Sequence, residues 1–530
     1  MPRAFPGTAA ILALTTTAML CTAAPASAGR THTRLVEIAA HDGTPLVAAV
    51  CEPADPGPHP AAVLVAAWGG GSTQNIVPCE NFAARGYVAV SYGTRGFGES
   101  GGQVEVGGPD DVADVSDVID WTLANTDSDP ARIGVGGISY GAGIGLLASA
   151  SDPRIRAVAS MSGWADLVES LFGNRTRRAA VATVLRISGE KDGDLSPETR
   201  EMLTKYMSGE DRERVTEWSR VRSPSSYVDG INANRPAVLM LNTWSETVFP
   251  PAQLAEFQHR LRTPNRLELI PGEHAAAETS GLLGLPNDAW NDTYQWFDTH
   301  LRGAPAPPSA PVVLQPRGAT DRPREQYPDW SAISDRTERF FLSGEEELTA
   351  DEPADWSRTI RSGRDTVANG GVPLVTYTLE ALTGNPPTAF LPAVDPAAGA
   401  KWTSPPLPEP RVLRGSPHLR MSAVPPAPNG MLVAYLYDVD ATGTGRMISY
   451  VPYSWENAKP GEPITVDTDL PPTAYDVPAG HRLSLVVDTE DPLYFLDDNP
   501  PNAPLTLQNP PAPEGPATLD LALQDGKEQP

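Results

Sequence analysis

Short apolar runs alternate with amphipathic stretches from residue 33 to about residue 302. Runs rich in Val, Ile, Ala and Leu fall at 34–39, 45–51, 61–67, 87–92, 133–138, 157–161, 237–241 and 267–270. They are too short for helices and apolar on both faces, which predicts strands of a sheet covered on both sides. Segment 110–125 has another period: Val112, Val115, Val118, Ile119 and Leu123 recur at helical spacing. Its acidic first turn suits the helix dipole. This alternation of strand and helix predicts a doubly wound α/β domain. One interval breaks it. Residues 164–226 are charged and helix-prone, notably at 197–207 and 210–219, and an insertion of that size between two strands predicts a cap over a site.

After Arg302 the pattern changes. Gly303-Ala304-Pro305-Ala306-Pro307-Pro308-Ser309-Ala310-Pro311 reads as a stiff linker over 304–311. Beyond it, alternating stretches at 339–342, 418–422, 432–439, 447–451, 483–487 and 518–523 are punctuated by Gly, Pro, Asn and Asp. Leu519, Leu521 and Leu523 alternate cleanly. Many short strands with turn signals and no helical stretch predict an all-β, jelly-roll-like sandwich over 312–530. The preceding α/β domain is expected over 29–303.

Composition narrows the function. The 530 residues carry a formal charge of −26, a surface that repels phosphate backbones and anionic lipid, so nucleic-acid binding is disfavoured. Residues 1–28 read as a secretory leader: Arg3 supplies the positive start, 8–21 the apolar stretch, and Ala26-Ser27-Ala28 the cleavage pattern. Export is expected, extracellular or periplasmic if the source has an outer membrane, with a mature start near Gly29. Met19-Leu20 before Cys21 do not make a lipobox, so no membrane anchor is expected. Two cysteines then remain, Cys51 and Cys79. In an oxidising compartment they pair as a disulfide; otherwise they are two buried thiols. The eight His form no metal-ligand pair in sequence, and no metal is expected.

The strongest chemical signal is Gly137-Ile138-Ser139-Tyr140-Gly141, which follows one strand and opens a helix. That is the setting of the G-x-S-x-G elbow of an α/β-hydrolase, with Ser139 as nucleophile. In this fold the chain order is Ser, acid, His. His274 follows strand 267–270 through Pro271-Gly272-Glu273, at the sheet edge where ligands meet such folds. Glu246 is the one carboxylate in the loop after strand 237–241 and completes a Ser139, Glu246, His274 set. One oxyanion donor is expected from the N–H of Tyr140. The other is expected from Trp68 or Gly69, in the Trp68-Gly69-Gly70-Gly71 loop.

Four ordered motifs carry a resemblance. They are Phe82 to Tyr87, Arg95-Gly96-Phe97-Gly98-Glu99-Ser100-Gly101, Asp117 to Trp121, and Gly136 to Gly141; Trp296-Phe297-Asp298 and Leu436-Tyr437-Asp438-Val439 come after them. Together they resemble the X-Pro dipeptidyl-peptidase and cocaine-esterase-like family of serine hydrolases. The resemblance implies acyl transfer to water on ester or amide bonds of a small-molecule ester or peptide, with no cofactor. This chain departs from the family pattern in three places. Glu246 stands where the family usually has Asp, Trp68 stands where many members have a Tyr, and the cap matches poorly. Arg95 and Trp121 are expected to be structural.

Three functions compete. The favoured one is a secreted acyl esterase. The rival is an X-Pro dipeptidyl-peptidase, which needs carboxylates for the substrate ammonium; Asp166 and Glu169, three apart on one helix face, are the candidates, with Trp164 as an apolar wall. The third is a non-catalytic binding protein on a hydrolase fold, against which the intact Ser139, Glu246 and His274 argue.

Overall fold

The structure, a computed structural model, describes residues 31–306, 309–319, 321–372, 374–494, 499–511 and 513–524. The expected leader over 1–28 lies outside the described residues.

Ten strands build the first sheet: β1 (Thr31–Ala39), β2 (Pro45–Pro53), β3 (His59–Val65), β4 (Val88–Tyr92), β5 (Ser128–Ile138), β6 (Ile155–Met161), β7 (Ala237–Thr243), β8 (Asn265–Ile270), β9 (Val312–Leu314) and β10 (Glu325–Tyr327). Their order is β1-β2-β4-β3-β5-β6-β7-β8-β9-β10. From β4 to β9 neighbouring strands run parallel, while β1, β2 and β10 are antiparallel to theirs. The order reverses around β3, so β3 and β5 flank the crevice where ligands of such sheets bind.

Successive residues of β3 serve opposite faces. Ala62 and Leu64 pack with helices α1 (Ile76–Ala84) and α11 (Asp288–Arg302) through Phe82, Trp290 and Phe297. Val63 and Val65 pack on the other side with α2 (Pro109–Asn125) and α3 (Tyr140–Ser151). Gly134 lets α11 approach β5, because a Cβ there would lie 2.6 Å from the Phe297 ring. The cap comprises α4 (Leu167–Phe172), α5 (Ala179–Asp192), α6 (Pro197–Ser208) and α7 (Arg212–Val221). Helices α8 (Val228–Asn234), α9 (Ala252–Arg260) and α10 (Ala276–Leu282) complete the domain.

Two expectations need correction. The sandwich does not begin at residue 312, since β9 and β10 come after the linker but extend the first sheet beyond β8. Strands of three residues are too short to show a period in sequence. The later region also holds a helix, α12 (Thr378–Thr383), where none is expected.

The rest is an antiparallel sandwich of a nine-stranded and a five-stranded sheet among the described residues. Leu519, Leu521 and Leu523 all point into its core. Its contact with the first domain includes a buried ion pair: the Arg317 Nε lies 2.5 Å from Glu380 Oε1, and Nη2 2.9 Å from Oε2. Among the described residues no helix is long and apolar enough to cross a membrane.

Candidate active site

Ser139 sits between β5 and α3 with φ 55° and ψ −110°. That conformation is strained for a residue with a Cβ and raises the side chain above the sheet. The flanking glycines explain how the turn closes. A Cβ on Gly137 would lie 2.6 Å from the Gly141 carbonyl carbon, and one on Gly141 would overlap the Val65 carbonyl.

The loop after β8 brings His274 to Ser139. Nε2 is 2.8 Å from the Ser139 Oγ, and Nδ1 is 3.0 Å from Oε2 of Glu246, which comes from the loop after β7. The Glu246 Oε1 accepts the N–H groups of Val248 (2.8 Å) and Phe249 (3.1 Å), which fixes the carboxylate. With Nδ1–H donating to Glu246, Nε2 is left to accept from the serine. Burial alone would lower the proton affinity of His274, but the charge and hydrogen bond of Glu246, with Glu273 and Glu278 behind it, raise it above the usual 6.5.

The predicted oxyanion donors lie against this elbow. The Trp68 ring is 5.4 Å from that of Tyr140, and its Nε1 donates to the Ser188 Oγ in the cap at 3.1 Å. Among the described residues no hydrogen bond engages the N–H of Trp68, Gly69 or Tyr140. The Tyr140 hydroxyl donates to Asp111 at 2.7 Å and so pins the start of α3. Burial pushes the Asp111 carboxyl up to about 7.

Beside Ser139 lies a cavity of about 90 Å³. Trp68, Trp164, Leu171, Val181, Trp218 and Phe249 give it an apolar wall. Trp164 is fixed by Phe249, 5.1 Å away, and by its Nε1 donating to the Arg222 carbonyl at 2.7 Å. No carboxylate lines this cavity among the described residues, and Arg178 is its one charged neighbour. The Arg178 guanidinium donates to the carbonyls of Ser170 (2.9 Å) and Thr247 (3.3 Å).

Asp166 and Glu169 do not meet there. Asp166 is the N-cap of α4, accepting the Glu169 N–H at 3.0 Å and the Ser225 hydroxyl at 3.0 Å. Glu169 lines a second, larger cavity of about 390 Å³ between cap and sandwich. Cys51 on β2 and Cys79 on α1 form a disulfide with Cα atoms 5.8 Å apart. His41, distant in sequence, and Asp114 and Asp117 of α2 bring one ligand atom each within 4.8 Å of one another. Their donors are already engaged. Arg95 holds both oxygens of Asp114 (2.6 and 2.8 Å), and His41 Nδ1 pairs with Asp117 at 2.9 Å, so the set does not suit a cation. Arg95 is thus a structural tie, through carboxylates of α2.

Sequence reasoning missed Glu273 and Glu278, both fully buried around His274. Glu278 accepts from the Ser162 Oγ at 2.8 Å, and that oxygen accepts the Ala275 N–H at 3.2 Å. One lies in the loop before His274 and the other in the short helix α10, and neither carries a sign of burial in sequence; the one available signal was the adjacency of Glu273 to His274.

Residues 42–276 match the X-Pro dipeptidyl-peptidase (S15 family) profile, and residues 306–525 match the X-Pro dipeptidyl-peptidase C-terminal non-catalytic domain. The chain belongs to the S15 family. An Xaa-Pro dipeptidyl-peptidase of Lacticaseibacillus rhamnosus is 24% identical over 492 residues, covering 77% of this chain and 59% of that protein. An uncharacterized 31.7 kDa protein in the traX-finO intergenic region of Escherichia coli is 28% identical over 177 residues, 32% of this chain and 60% of that one. The chain thus spans about three fifths of the length of these relatives. Three solved structures share the fold across both domains. An aminopeptidase from a marine sediment Thaumarchaeota archaeon superposes with TM-score 0.74 at 15% identity, covering 96% of this chain and 99% of that one. An alpha-amino acid ester hydrolase gives 0.71 at 16%, covering 97% and 100%. A CocE/NonD family hydrolase from Staphylococcus aureus gives 0.72 at 12%, covering 94% and 97%. At these identities the likeness is one of fold.

Proposed function

We propose that this S15-family chain is a serine hydrolase that cleaves esters of short, apolar, uncharged acyl groups through an acyl-enzyme. The observation that carries the chemistry is the continuous chain of hydrogen bonds from the Ser139 Oγ through His274 to Glu246. Ser139 attacks the ester carbonyl carbon while His274 Nε2 takes its proton. Glu246 holds the tautomer and stabilises the imidazolium. The tetrahedral oxygen takes the N–H of Tyr140 and that of Trp68 or Gly69. Collapse expels the alcohol, which recovers the proton from Nε2, and water repeats the cycle on the acyl-enzyme.

The acyl preference rests on the cavity at Ser139. A substrate ammonium buried without a carboxylate costs several kcal/mol, and the wall offers apolar side chains and Arg178 instead. An engineered cavity of about 150 Å³ holds benzene, so about 90 Å³ suits an acyl chain of roughly three to five carbons. The X-Pro dipeptidyl-peptidase reading keeps one supporting observation, the Glu169 carboxylate in the adjoining cavity. A panel of p-nitrophenyl esters beside X-Pro-anilides separates the two. Butyrate should be turned over well ahead of decanoate and of every X-Pro-anilide. Free-amine X-Pro substrates cleaved far faster than their N-acetylated forms would overturn the esterase reading.

We also propose that the protein is exported, on the strength of the leader-like residues 1–28 and a disulfide suited to an oxidising compartment. Protein recovered from outside the cell should begin near Gly29 on N-terminal sequencing.

A further inference from the structure

Glu273 precedes His274 and is fully buried. Its Oε1 accepts three hydrogen bonds: from the His274 N–H at 2.8 Å, the Thr247 N–H at 3.0 Å and the Thr247 Oγ1 at 2.9 Å. Thr247 is the neighbour of Glu246. One carboxylate oxygen therefore ties together the backbone on both sides of the Glu246–His274 hydrogen bond. The two loops leave different strands, β7 and β8, and lie 28 residues apart at that bond. An apolar side chain at 273 would leave two buried N–H groups and a hydroxyl without this acceptor.

We infer that Glu273 is a positioning residue that locks the Glu246 loop to the His274 loop and sets a second carboxyl group beside the imidazole that Glu246 holds. The inference rests on the hydrolase reading for its effect on turnover but not for its effect on the imidazole. An amide would satisfy the same three donors, yet the chain has an acid there. Its Oε2 is buried with no hydrogen-bond partner among the described residues. The groups facing this cluster are Glu246 and His274 on the two loops, Glu278 from α10 and Tyr450 from the sandwich. Burial, and then the charge of Glu246, push the Glu273 carboxyl up to about 7. The carboxyl therefore gains its charge in the same pH range in which a histidine titrates.

The test uses the full chain with Glu273→Gln and Glu273→Leu. The first reading is the His274 imidazole titration by NMR with ring-labelled histidine, which needs no turnover. Glu273→Gln keeps the acceptor and removes the charge, so the His274 pKa should fall by about half a unit to one unit. The second reading is kcat and KM on p-nitrophenyl butyrate. Glu273→Leu should lose at least ~10-fold more kcat than Glu273→Gln, with the smaller change in KM, because the loops lose register. If Glu273→Leu does not fold, the imidazole titration of Glu273→Gln decides alone. An unshifted titration in Glu273→Gln, or a Glu273→Leu variant as active as Glu273→Gln, overturns the inference. Absence of any ester hydrolysis by the wild type would sink the hydrolase reading and leave the imidazole titration to decide on Glu273.

Discussion

On the proposed hydrolase reading, His274 is the side chain whose proton affinity sets the working pH. Three buried glutamates surround it, and their attraction outweighs the loss of hydration, so its pKa stands above 6.5. A general base must be neutral to accept the Ser139 proton. Activity should therefore rise with pH through an apparent pKa above 6.5 in kcat/KM, measured on an uncharged ester; an acid limb below 6.5 would contradict this. Ser139→Ala should lower kcat by roughly 10⁴-fold or more and abolish labelling by a fluorophosphonate, with the melting temperature retained. Glu246→Gln should cost less, ~10²–10⁴-fold, because the base stays but loses its orienting anion. If Glu246→Gln is silent, another carboxylate serves the imidazole. That Ser139, His274 and Glu246 come together was legible in the sequence, because chain order and strand ends restrict them. Glu273 and Glu278 were not, because what distinguishes them is burial, and burial depends on packing by α10 and the sandwich.

Among the elements, α4 shows how a local spacing rule overlooks a helix cap. Asp166 and Glu169 are three apart, so a continuous helix would set both carboxylates on one face. The helix begins one residue later, at Leu167, and Asp166 is its cap with a β-region backbone. A cap side chain folds back to the N–H three residues on, here that of Glu169 itself, so Asp166 is spent on the helix end. Asp166→Ala should therefore destabilise the protein by about 1 kcal/mol in urea or thermal unfolding, through the lost cap. It should leave the ratio of ester to X-Pro-anilide turnover where it was. A selective rise in KM for X-Pro-anilides would instead return Asp166 to the substrate. The strands and the long helix α2 were legible for the opposite reason, since β3 to β7 are buried on both faces and α2 repeats Val and Ile at helical spacing. Strand β5 begins five residues before its apolar run, at Ser128, where the backbone pairs but the side chains carry no pattern.

At the scale of the whole molecule, the linker at 304–311 is not a boundary between independent units. Strand β9 lies beyond it and pairs with β8 through Leu267 with Val312, Glu268 with Val313 and Leu269 with Leu314. The loop that carries His274 leaves the end of β8, so β9 covers the edge of the strand that aims His274. The loop that carries Glu246 is held from the same side. The Trp244 Nε1 donates to the Gln315 carbonyl at 2.8 Å, and the Ser245 Oγ donates to Glu380 Oε2 at 2.9 Å. Glu380 belongs to α12 in the later region and is clamped by Arg317, so the later region reaches within one residue of Glu246. A fragment ending at residue 303 loses β9, β10 and all of these supports. It should be insoluble or inactive. A fragment ending at residue 335 keeps both strands but leaves the buried Arg317 without its carboxylate, a loss of about 3–5 kcal/mol for a broken buried pair. It should be less stable than the full chain and impaired in kcat through the loosened Ser245–Glu246 loop. Fluorophosphonate labelling rates and thermal unfolding of both fragments, side by side with the full chain, read these effects directly. A soluble 29–303 fragment with full activity would show that the triad stands without β9, β10 and the sandwich.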